Sequence, residues 1–147
     1  MKVLAAIVLS ALVAAPVPPA PPVDPLKAAQ QGFQGPWKVV AHIEEGEPWD
    51  KEQAESAKLT VKDNVMSIST DGKNLAFAFT LDPKSEPCGI DLVYQLENEP
   101  GKTVKGIYKL EKDKLTICFA TDGERPKEFH SAVNSRTGVL ILERVKK

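Results

Sequence analysis

The side chains able to do chemistry in this sequence are few and widely separated. It carries two histidines, His42 and His130, and two cysteines, Cys88 and Cys118. Each histidine stands two residues from a glutamate, Glu44 and Glu128, in stretches whose alternation puts both side chains on the polar phase of a strand. They are expected to be solvated surface groups. A catalytic zinc needs about three protein ligands in fixed geometry, so neither a metal nor any other cofactor is expected. Glu44, Glu45, Glu47 and Asp50 gather in one segment, but glycoside hydrolysis needs two carboxyls facing each other across a substrate groove, and a charged loop is the simpler reading. No serine lies in a Gly-x-Ser-x-Gly turn and neither cysteine has the flanks of a nucleophile. No catalytic residue is expected, and the chain is read as a non-enzyme.

The elements that would position these residues follow period two. Trp37, Val39, Ala41 and Ile43 alternate with Lys38, Val40, His42 and Glu44 in a first strand; Leu59 and Val61 begin a second, and Met66 and Ile68 return after Asp63-Asn64. Asp71-Gly72 suits a type I′ hairpin because both residues tolerate positive φ. Leu75, Phe77, Phe79 and Leu81 share one face of the next strand, then Ile90, Leu92, Tyr94 and Leu96, with Pro100-Gly101 closing it. Val104, Gly106, Tyr108 and Leu110 follow, then Leu115, Ile117 and Phe119, a short strand around Phe129, and a last strand over residues 139–145. That last strand is apolar on both faces, and residues 26–33 are expected to cover its outside. Residues 48–57, with Asp50 as cap, predict a turn or two of helix. The expected fold is all-β: a small up-and-down antiparallel β-barrel of eight or nine strands, since closure removes exposed edges. A β-sandwich is the alternative.

Ahead of these strands, Met1-Lys2 and the apolar run 3–15 read as a secretory signal. At about thirteen residues the run is short for a bilayer, which takes roughly twenty. The following stretch is dense in proline and reads as an extended spacer. The expected organisation is a signal peptide over 1–20, a proline-rich linker and N-terminal segment over 21–33, and a lipocalin-like β-barrel over 34–147, with an extracytoplasmic location, periplasmic or secreted. Formal net charge is −1, with both signs interspersed, so no nucleic acid and no integral membrane segment after signal removal are expected.

Gln34-Gly35-Pro36-Trp37-Lys38-Val39-Val40 resembles the opening of an uncharacterised extracytoplasmic domain family of planctomycete bacteria. Leu81-Asp82-Pro83, Ile90-Asp91-Leu92, Gly106-Ile107-Tyr108, the run 115–120, and Arg125-Pro126 with Phe129 are similar to its other marks, in the same order. The resemblance implies an exported domain and no particular activity. A broader likeness is to lipocalins, whose first strand carries Gly-x-Trp and whose last carries an Arg that packs across it. Gly35-Pro36-Trp37 and Arg144 match. The likeness implies that Trp37 and Arg144 meet where the first and last strands close the barrel, their stacking worth about 0.5–2 kcal/mol.

In the expected phase, Phe77, Phe79, Tyr94, Tyr108 and Phe119 point inward. They would line a pocket for a small apolar ligand if a cavity exists, but with Gly106 and Ala41 as the small inward residues, a filled core is the preferred reading. Cys88 shares the inward phase and Cys118 the outward one, so no disulfide is expected; a register placing Ile107 opposite Val93 separates them further. The function expected is an exported, non-enzymatic binding module for a small apolar ligand or a protein partner. A solid-core inhibitor or structural protein of the cell envelope is the alternative, and a hydrolase ranks third.

Overall fold

Every strand pairing among the described residues is antiparallel, and the first strand meets the last. The computed structural model describes residues 24–70, 72–95 and 101–146. The expected signal peptide lies outside them, as do Asp71, Leu96 and Pro100 of the expected strands and turns. Among the described residues the chain begins with a helix, α1 (Pro25–Phe33), and enters the barrel through β1 (Gly35–Glu44). A two-residue strand, β2 (Glu47–Pro48), and helix α2 (Lys51–Ser56) precede β3 (Lys58–Lys62). The meander then runs through β4 (Val65–Thr70), β5 (Lys73–Asp82), β6 (Cys88–Tyr94), β7 (Thr103–Glu111), β8 (Lys114–Ala120) and β9 (Thr137–Arg144). β1 pairs with β3, each strand from β3 to β9 pairs with its sequence neighbour, and β1 with β9 closes the ring. The fold is thus an eight-stranded up-and-down barrel with β2 as an added ribbon, not a sandwich.

The period-two reading sets most of the interior correctly. Leu59, Val61, Met66, Phe79, Leu81, Ile90, Leu92, Val104, Tyr108, Leu115 and Ile117 all enter one buried cluster. The first strand departs from it. Between Val39 and Ala41 the pairing with β9 slips by one residue, a β-bulge that leaves Val40 outside and half-exposed and reverses the phase beyond it. Trp37 and Val39 face the core as expected. Ala41 and Ile43 then oppose Ile141 and Val139 on the outer face, and His42 opposes the core residue Leu140.

One end of the barrel is plugged. Asp24 caps α1 and Pro25 occupies its first turn, the arrangement that a fixed φ and a missing amide favour. The segment expected as linker and as cover for β9 is therefore a helix, and it closes the barrel's base. Its last residue, Phe33, is fully buried and packs on Phe79 and Tyr108 at ring-centroid distances of 5.5 and 5.1 Å. Trp37 Nε1 donates to Phe33 O at 2.8 Å. The Arg144 guanidinium lies 4.3 Å from the Trp37 ring centroid and donates to Gln34 O and Gly32 O at 2.8 and 2.7 Å. This pair therefore holds the carbonyl end of α1 against the barrel.

The outer face of β9 is covered by residues 121–136, which contain no strand around Phe129. Phe129 and Ile141 pack against Ile107, Cys118 and Val139 in a second apolar cluster outside the barrel. Arg125 anchors the loop by donating to Ile90 O and Gly106 O, at 3.1 and 2.7 Å, and to Asp91 at 2.6 Å. The β6–β7 register also differs from expectation, with Ile107 opposite Gly89 rather than Val93. A four-residue slip is even, so the phase survives: Cys88 joins the inner cluster and Cys118 the outer one, and both thiols are free.

Candidate functional site

The interior end opposite α1 is open. Trp37, Phe33, Phe79 and Tyr108 fill the base, but above them the inward side chains diverge around a cavity of about 260 Å³. Its walls are Leu59, Met66, Leu92, Val104, Ile117 and Leu140, and its mouth is ringed by Glu44, Thr70, Leu75 and Thr121. An enclosed apolar cavity of about 150 Å³ suffices for one benzene ring, so the space admits a small organic molecule. Leu75 is 44% exposed at the mouth, a leucine that the strand alternation would otherwise bury.

The five aromatic residues expected around a pocket divide by height. Phe77, Tyr94 and Phe119 line the cavity, with the Phe77 and Tyr94 rings 4.5 Å apart as cross-strand partners. Phe79 and Tyr108 lie below it against Phe33, and seal the floor. Burial, then the neighbouring Cys88 thiol, raises the Tyr108 phenol well above its ordinary range, so it stays protonated. The preferred expectation of a filled core is corrected accordingly. Two glycines occupy inward positions, Gly106 as expected, opposite Ile90 and Phe119, and Gly138 rather than Ala41. A Cβ on Gly138 would meet the Phe119 ring at 2.5 Å, so Phe119 lies over a backbone that has no side chain to push it into the cavity.

His42 is the residue that sequence reasoning misplaced. Rather than standing in solvent, its ring lines the cavity and contacts Trp49 at a centroid distance of 4.2 Å and Phe119 at 6.0 Å. Both ring nitrogens are buried without a hydrogen-bond partner among the described residues, which costs on the order of 1–3 kcal/mol per unsatisfied group. Burial lowers its pKa and the Glu44 carboxylate opposes this more weakly, so at neutral pH the imidazole is uncharged. His130 lies in the outer loop, its carbonyl accepting from Cys118 Sγ at 3.7 Å.

Trp49 reaches this place through the connection that follows β1. Beyond Lys38, β1 no longer pairs with β3, and the separation is filled by β2, Trp49 and α2. Asp50 and Gln53 form a capping box on α2, as the expected helix requires, and Ala54 and Ala57 are buried against the core. The Trp49 amide donates to His42 O at 2.7 Å. Glu44, Glu45, Glu47 and Asp50 do not converge on a groove; Glu44 alone of the four borders the cavity.

No group of three or more His, Cys, Asp or Glu side chains among the described residues is placed to hold a metal, and no helix among them is long and apolar enough to cross a membrane. No protein family, curated protein or solved structure matches the chain.

Proposed function

We propose that this is an exported, non-enzymatic binding protein that holds one small apolar molecule in the open end of its barrel. The observation that carries the reading is the cavity: about 260 Å³, walled by aliphatic and aromatic side chains, closed below by the Phe33 plug and open to solvent above. Barrels of eight strands have interiors that side chains just fill or that take one small ligand, and here they fill only one end. Apolar walls with few polar groups are the usual composition of a small-molecule site. The basic n-region and apolar run at residues 1–15 support export, and the ordered likeness to the planctomycete extracytoplasmic domains agrees with it. The Trp37–Arg144 contact supports the kinship in design with lipocalins.

Calorimetric titration with ethylbenzene tests the proposal. Eight non-hydrogen atoms in a preformed apolar site predict a Kd of roughly tens to hundreds of micromolar. Ile68 lines the cavity, and Ile68→Phe, which fills it while suiting a strand, should weaken binding at least tenfold. Failure of the wild-type protein to bind ethylbenzene up to its solubility would remove the proposal.

A further inference from the structure

A hydrocarbon in the cavity would leave His42 unused. The imidazole stands among Trp49, Phe119 and its cross-strand partner Leu140, and neither nitrogen is bonded to anything in the described protein. A polar ring kept in an apolar wall loses its hydration with no contact inside the protein to offset the loss. A ligand that brings a hydrogen-bonding group recovers it. An imidazole without charge presents one donor and one acceptor, and a hydroxyl can serve either, whichever nitrogen it meets. The Glu44 carboxylate at the mouth disfavours an anion, and a cation would rest in solvent beside Glu44 rather than under Trp49.

Resting on the proposed binding role, we infer that the ligand is a small neutral molecule with an apolar body and one hydroxyl, of the phenol or alcohol class, and that His42 is the residue that selects it. The two nitrogens each expose less than 1 Å², so the packing on the imidazole must open to admit the hydroxyl, and Trp49, whose ring centroid is 4.2 Å away, is the partner we assign to that movement. Its position allows this, since it belongs to the connection that fills the separation of β1 and β3 and is only partly buried.

The test compares 4-ethylphenol with ethylbenzene, two probes of one shape that differ by the hydroxyl, on the wild-type protein and on His42→Leu. The ratio of the two dissociation constants cancels shape, and comparing that ratio between proteins cancels the hydroxyl's preference for water. Preference for the phenol over ethylbenzene should fall at least tenfold in His42→Leu. An unchanged ratio assigns the nitrogens to water and overturns the inference while leaving the cavity reading intact. Binding of neither probe by the wild-type protein overturns both. A readout that needs no variant is the 15N resonance pair of the His42 imidazole. It should move on adding 4-ethylphenol and stay nearly still with ethylbenzene; equal displacement by both contradicts a hydrogen bond. Tighter binding of 4-ethylbenzoate than of 4-ethylphenol overturns the neutral class.

Discussion

At His42, a single inserted residue decides the chemistry of the site. Sequence alternation puts its side chain in solvent, and the bulge at Val40 turns it inward, an outcome that period two cannot anticipate because Val39, Val40 and Ala41 are consecutive apolar residues that fit either phase. The consequence is measurable in the pH dependence of stability. Glu44 is the charged group acting on the ring; β9 presents Leu140 to it, β8 Phe119 and the β1–α2 connection Trp49. Burial holds the folded pKa below the unfolded value of 6.5, so the unfolded chain takes up the proton first as pH falls. His42's share of stability is complete above that value and is lost as pH falls through the folded pKa. Between about pH 7 and 5, Tm should fall more steeply for the wild-type protein than for His42→Leu, and parallel slopes would contradict a buried neutral imidazole. The cysteines allow a second check. Burial raises the Cys118 pKa, and its side chain lies beneath Phe129, whereas Cys88 is partly accessible. Iodoacetamide should alkylate Cys88 of the native protein at least tenfold faster than Cys118, and both should react in the denatured, unreduced chain. A protected pair in the denatured chain would signal a disulfide and a different arrangement of β6 to β8.

Among the elements, strands were far more legible than connections. Strand faces repeat every two residues, so the inward set from Leu59 to Ile117 follows from local alternation alone. The α2 helix was legible from Asp50, whose cap acts within one turn. The α1 helix carries a helix-start signal in Asp24-Pro25, but the preceding prolines invite an extended reading and nothing local shows that Phe33 has a barrel to enter. The short strand expected around Phe129 is part of a loop for a similar reason: Phe129 packs by tertiary contact on the outside of the barrel, which local alternation does not encode. The plug predicts two stability changes. Phe33→Ala should cost about 3–5 kcal/mol by opening the sealed floor. Arg144→Ala removes the stacking on Trp37 and two charge-assisted bonds to the end of α1, and should cost about 2–4 kcal/mol, a fall in Tm of about 10 °C. A loss under about 0.5 kcal/mol in either variant would show that α1 is not the closure described here.

At the scale of the molecule, the barrel is asymmetric by design of its two ends. Large rings and a helix fill the base, while Gly138 and the spread of β1 from β3 keep the other end open. The sequence made the barrel legible, because hairpins of alternating strands close naturally, but it could not say whether the interior was full. That depends on where each ring lies along the axis, and thus on register and on one bulge. Met66 offers a direct view of the outcome, since its side chain lines the cavity and the chain contains just one other methionine, Met1. In protein labelled at methionine methyl carbons, titration with ethylbenzene should shift the Met66 methyl resonance along a saturable curve, and in Ile68→Phe the shift should vanish. A Met66 resonance that stays in place up to the solubility of the probe would contradict a ligand-binding barrel.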